Sequence, residues 1–135
     1  MALSLARCFV QVHDPDLALA FYRDTLGLEV RNDVTNEGFR WITVGAASQP
    51  GVEIVLTDYL HGSPADSDVL AALLAKGALN GVNLRSDDLD AIFEKVRASG
   101  AEIVQEPTDQ PWGTRDFAVR DPSGNLVRID QPPAG

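Results

Sequence analysis

The chain has 135 residues, 44% of them hydrophobic and 23% charged, the composition of a globular protein of one-domain size rather than a disordered one. Twenty acidic residues against 11 basic ones give a formal net charge of -9, a surface that repels phosphate backbones and argues against nucleic-acid binding. A lone cysteine, Cys8, excludes an internal disulfide and a CxxC metal knuckle, and no long apolar run marks Met1–Val10 as a signal or membrane segment, so a cytoplasmic location is expected.

The first strand alternates Cys8, Val10 and Val12 on one face with Arg7, Phe9 and Gln11 on the other. It runs into Asp14-Pro15, a cap followed by a residue suited to the first helical turn. Leu17, Phe21 and Leu28 beyond it predict the apolar stripe of this helix, and Gly27 its end. Strands are predicted at residues 28–32, 39–44 and 52–57, the last two separated by the turn at 46–51.

The connector at 58–80 holds the run Val69–Leu74 between Asp68 and Gly77, which predicts a short helix. About 72 residues after the first cap the pattern returns as Leu84-Arg85-Ser86-Asp87-Asp88-Leu89. Leu89, Ile92, Phe93 and Val96 form the second stripe, Gly100 closes it, and strands follow at 102–106, 115–120 and 126–130. Asp121-Pro122-Ser123-Gly124-Asn125 is a tight hairpin rather than a calcium loop. The acids at 87, 88 and 90 fall at a helix start, where the dipole favours them.

The echo predicts one α+β domain over residues 1–135, built of two tandem β-α-β-β-β modules at about 1–60 and 79–132, with the short helix of the connector within 61–78. Core strands carry one aliphatic face, exemplified by Ile54 with Leu56 and Val127 with Ile129, and one mixed face bearing Arg7, Glu53, Asn83 and Arg128. Burying those charges in a second dry core would cost several kcal/mol each unless they were paired. A curved, eight-stranded mixed sheet with helices outside and a wet cleft on the open face satisfies both patterns.

Three stretches resemble the vicinal-oxygen-chelate superfamily of glyoxalase I, extradiol dioxygenases, fosfomycin-resistance enzymes and bleomycin-binding proteins. They are Ala20–Leu28 with its Phe21-Tyr22 and Leu26-Gly27, the helix at 90–100, and Trp112-Gly113 through Asp121-Pro122-Ser123-Gly124-Asn125. The metal enzymes of that family set His or Glu on the cleft face of four strands, and the resemblance carries those positions to Arg7, Val55, Gly81 and Arg128. A shift by one residue would bring Cys8, Ile54, Val82 and Val127 instead. Neither set ligates a divalent ion, because arginine remains protonated and valine and glycine have no donor atoms. No metal and no other cofactor is therefore expected.

The resemblance then implies a metal-independent protein that binds a small molecule, an aromatic natural product or drug, and sequesters it as a homodimer whose subunits share the clefts. One alternative is a metal-free lyase, isomerase or cyclase with Glu53 as base and an arginine stabilising an enolate, although two nearby arginines argue against Glu53 in that role. A further alternative is a metal-dependent glyoxalase-like or dioxygenase enzyme. Candidate ligand contacts are Phe9, Phe39, Trp41, Val55 and Tyr59 for apolar lining, and Arg7, Glu53, Asn83 and Arg128 for orientation. Arg7, Glu53 and Arg128 equally fit a self-satisfied network that fills the space of the absent metal. Trp112 suits either a stacking wall or a core anchor, and Arg115 either a ligand contact or a brace for the Trp112 loop. His13 and His61 are expected to be local or surface groups, and Cys8 an inert thiol of the core.

Overall fold

A computed structural model describes residues 1–58 and 62–133. The chain runs β1 (Arg7–Gln11), α1 (Pro15–Leu19, continuing as a π-helical turn over Ala20–Thr25), β2 (Glu29–Asn36), β3 (Phe39–Gly45), β4 (Glu53–Thr57), α2 (Pro64–Ala75), β5 (Asn80–Arg85), α3 (Leu89–Ala98), β6 (Ile103–Asp109), β7 (Arg115–Arg120) and β8 (Leu126–Gln131). The cap of the first helix is the one the sequence predicts, and that of α3 falls on Asp88, one of the acids at the helix start. The Asp14 carboxylate accepts from the amides of Asp16 and Leu17, and Asp88 accepts from that of Ala91. The connector helix is longer than predicted because Ser63 and Asp66 form a reciprocal capping box that starts it at Pro64.

Among the described residues the strands form two four-stranded mixed sheets of identical design, ordered β1-β4-β3-β2 and β5-β8-β7-β6. In each, the first strand of the module lies at the edge and pairs parallel with the last, while the remaining pairs are antiparallel. The aliphatic faces of both sheets, together with α1 and α3, converge on one buried cluster. Val10, Tyr22, Ile42 and Leu56 enter it from the first module, and Phe93, Phe117, Val119 and Val127 from the second. Each such side chain contributes roughly 1.5–3 kcal/mol by leaving water, so the two modules are held by a shared core.

Two expectations fail here. Leu17 is 54% exposed, and the buried face of the first helix is Ala18, Leu19, Phe21 and Tyr22. The π-helical turn widens the period after Leu19, which brings the adjacent rings of Phe21 and Tyr22 inward together. Cys8 is exposed rather than inert in the core. It shares a face with Val10, but β1 is an edge strand and only its second half is covered.

The hairpin at 121–125 stitches the modules together. The Asp121 carboxylate accepts from the backbone amides of Ser123, Gly124 and Asn125, from the Asn125 side chain, and from the Tyr22 hydroxyl. Asn125 donates onward to the carbonyl of Gln11 at 2.6 Å, and the His13 amide donates to Ser123 Oγ at 2.9 Å. Gly124 sits at φ +110 against the end of α2, where a Cβ would stand 2.0 Å from the Leu74 carbonyl oxygen, so no other residue fits. Among the described residues no helix is long and apolar enough to cross a membrane.

Candidate ligand-binding face

Strand alternation leaves the mixed faces directed away from the shared core. On the first sheet, register sets Arg7 opposite Glu53, Phe9 opposite Val55 and Gln11 opposite Thr57, with Thr43 beside Val55 on β3. Arg7 Nε donates to Glu53 Oε1 at 3.0 Å. The Phe9 ring meets Trp41 edge-on with centroids 6.4 Å apart, and Phe39 lies at 6.4 Å on the other side of Trp41. Val55 and Thr43 are fully buried beneath this layer, whereas Phe9 is 62% exposed. An aromatic layer open to solvent beside a half-exposed arginine is suited to a planar ligand with a polar edge.

On the second sheet, Asn83 is opposite Arg128, which is opposite Ala118. The hub of this face is Asp116, a carboxylate only 4% exposed. Its Oδ1 accepts from Gln105 Nε2 at 2.7 Å and Gln110 Nε2 at 2.9 Å, and Arg128 Nη1 stands 3.5 Å from its Oδ2. Arg128 also donates to Gln105 Oε1 at 3.2 Å. Sequence reasoning passes over Asp116, Gln105 and Gln110. The available signal is the alternation of β7, which sets Asp116 and Ala118 opposite the core residues Phe117 and Val119 and so places an acid on the mixed face.

The structure therefore separates the predicted Arg7, Glu53 and Arg128 network. Arg7 and Glu53 pair on one sheet, while Arg128 is held on the other by Asp116 and Gln105. Trp112 is 71% exposed in the loop between β6 and β7, which excludes a core anchor. Gln110, at the base of that loop, is tied to Asp116 through its side chain and to Thr114 through its backbone. Arg115 stands on the helix side, opposite in parity to Asp116, and bonds to Asp90 of α3 and to Asp109. It braces α3 against β6 and lies apart from the mixed face. Tyr59 and His61 lie outside the described residues.

Residues 4–129 match the model of the glyoxalase/bleomycin resistance protein/dioxygenase superfamily. The chain belongs to that superfamily. Among solved structures it is similar to UcmS2, with 35% identity and a TM-score of 0.87 over 96% of this chain and 98% of that one. It is also similar to TnmS3, an antibiotic binding protein from Streptomyces sp. CB03234, with 30% identity, a TM-score of 0.77 and 98% of each chain covered. The uncharacterised protein YurT of Bacillus subtilis (strain 168) is 32% identical over 97% of this chain and 99% of its own length. The relatives also include a lactoylglutathione lyase of Haemophilus influenzae at 25% identity and a probable lactoylglutathione lyase of Synechocystis sp. at 26%, over 94% of this chain in both cases.

Within this superfamily the question of a metal turns on the donor set. The four positions named above hold two guanidinium groups, a valine and a glycine, and a dication there would meet positive charge and hydrocarbon. Among the described residues no three His, Cys, Asp or Glu side chains are grouped so as to hold an ion elsewhere. The side chains of this face do not fit a metal centre.

Proposed function

We propose that this chain is a metal-independent binding protein that captures an aromatic natural product or drug on its mixed faces and releases it unchanged. The observation that carries this reading is the Phe9, Trp41 and Phe39 layer, open to solvent at Phe9, beside the Arg7–Glu53 pair. Aromatic rings would take the flat body of the ligand, and Arg7, Asn83 and Arg128 would bind carbonyl, hydroxyl or carboxylate oxygens at its edge. The similarity to TnmS3 over nearly the full chain supports an antibiotic as the ligand and sequestration as the role.

A homodimer completes the proposal. Both β1 and β5 are edge strands with unpaired backbone groups, and both mixed faces are open in one chain. Long unprotected edges pair readily with another strand. A partner that lays one module against the other's edge would turn two open faces into an enclosed cleft lined by both subunits.

The lactoylglutathione lyase relatives support a second reading, that of an enzyme with Glu53 as base. Arg7 donates to Glu53 Oε1 at 3.0 Å, so in this reading Oε2 would be the oxygen that takes the substrate proton. The test is tryptophan quenching by a panel of aromatic antibiotics, with mass spectrometry of the bound compound. Saturable quenching and an unaltered compound support capture, and a chemically changed compound overturns it in favour of catalysis.

A further inference from the structure

The two modules share one strand order, so the hairpin before the last strand of each has a counterpart in the other. At one seam the 121–125 hairpin of the second module is bonded to β1 and α1 of the first. Its counterpart, the 46–51 hairpin, faces the β5–α3 junction, yet among the described residues no hydrogen bond crosses from residues 46–51 to 84–92. The cause lies at Arg31, which falls in the register shift between Val30 and Asn32. Its guanidinium donates to the carbonyls of Val52 at 2.6 Å, Ala46 at 2.9 Å, Gln49 at 3.0 Å and Pro50 at 3.3 Å. The hairpin is folded back on its own module instead of reaching the other.

What remains at the unstitched seam is a cavity of about 800 Å³, in the range of pockets that hold drug-sized molecules. The stitched seam keeps a smaller hollow of about 650 Å³. The floor of the larger cavity is apolar and drawn from both modules: Leu26 and Leu28 from the first, Leu84, Ile92 and Ile129 from the second. Its rim carries Gln49, Ser86 and Asp87, with Arg85 bound to Asp130 at 2.8 Å. The amide donors of α3 nearest the cavity are already taken, Leu89 by Gln131 Oε1 and Ala91 by Asp88, so the helix end offers little to an anion. Asp87 has neither a hydrogen bond nor an ion pair among the described residues, and it leaves the rim one negative charge in excess.

We infer that the cavity between the 46–51 hairpin and the β5–α3 junction is a second small-molecule site, selective for an apolar body carrying one ammonium group that pairs with Asp87. The hydrocarbon floor takes the body, and the unpaired carboxylate with the overall charge of -9 selects a cation over an anion of the same shape. The cavity shares Asn83 with the mixed face, but its apolar floor of Leu84 and Ile129 lies on the aliphatic side of the strands, away from Phe9 and Trp41.

The probes are 4-phenylbutylamine, 4-phenylbutanol and 4-phenylbutanoate, titrated into the full chain and followed by amide NMR shifts. The amine should move the amides of Leu28, Gln49, Leu84 and Ile92 and bind about tenfold or more tightly than the carboxylate. Asp87→Asn should remove most of that preference while leaving the alcohol unaffected. Leu28→Trp, checked for an unchanged melting temperature, should block all three probes; if it unfolds, the Asp87→Asn titration decides alone. Equal binding of amine and carboxylate, shifts confined to Phe9 and Trp41, or no shifts would each overturn the assignment. Trp41→Ala should leave this binding intact, which separates its failure from that of the mixed-face site.

Discussion

The Tyr22 hydroxyl donates to Asp121 Oδ2 across 2.7 Å, joining residues 99 positions apart and with them the two modules. Both groups are buried, and the carboxylate has five donors in all. Tyr22→Phe removes one of these and should cost about 1.5–3 kcal/mol, the range for a hydrogen bond to a charged partner. Asp121→Ala leaves all five donors without an acceptor and should cost about 3 kcal/mol or more. Urea unfolding of both variants checks the order. Equal loss in the two would show that the tyrosine alone carries the contact.

Burial, and then the neighbouring Asp121 charge and hydrogen bond, holds the Tyr22 phenol well above the ordinary tyrosine range. The neutral phenol is favoured in the folded state, so its contribution is complete below about pH 10 and is lost as pH rises through the folded value. Absorbance at 295 nm should show Tyr22 remaining protonated until the fold opens at high pH. In Tyr22→Phe this late step should vanish. An early, reversible ionisation assigned to Tyr22 would contradict the buried contact.

The two tryptophans differ in setting, and acrylamide should show it. Trp112 is open to the quencher while Trp41 is flanked by Phe9 and Phe39. Trp112→Phe should leave an emission that is blue-shifted and quenched less. With an aromatic ligand in hand, Trp41→Ala should weaken binding by about tenfold, the upper value of one aromatic pair. An unchanged affinity would move the ligand off the first sheet.

Asp116 binds Arg128 and, through Gln110, the base of the Trp112 loop. Asp116→Ala should therefore loosen two candidate contacts at once. The expected signature is a larger loss of affinity than Arg128→Ala alone produces, with Trp112 emission altered before ligand is added. Gln110→Ala should reproduce only the change in emission.

Sedimentation should find a dimer, and Phe9→Glu should shift it toward monomer, because a carboxylate would then lie on an exposed edge strand beside Glu53. Ni²⁺ or Zn²⁺ should alter neither the melting temperature nor ligand affinity. Stabilisation by either ion, reversed by chelator, would overturn the reading of the donor set.

Much of this fold is written locally. The cap at Asp14, the α3 stripe of Leu89, Phe93 and Val96, and the alternation of Ile54 and Leu56 are governed by neighbours in sequence, and all appear in the structure. What local pattern cannot carry is cover. Cys8 alternates like a core residue but has nothing above it, and Leu17 lies on a stripe that the π-helical turn redirects. The candidate face was legible in part for the same reason. Register pairs Arg7 with Glu53, while the partner of Arg128 is decided by tertiary neighbours on β6 and β7 that no spacing reveals.

The Arg31 clasp gives the two hairpins different tolerance to change. Residues 121–125 answer to the opposite module, and lengthening that turn would displace Ser123 and Asn125 from His13 and Gln11. Residues 46–51 answer only to one arginine of their own sheet. An inserted peptide there would need to respect four carbonyl contacts and the cavity wall formed by Ala46, Ser48 and Gln49, but no bond to the other module, which makes this loop the more tolerant place to graft a tag or a reporter.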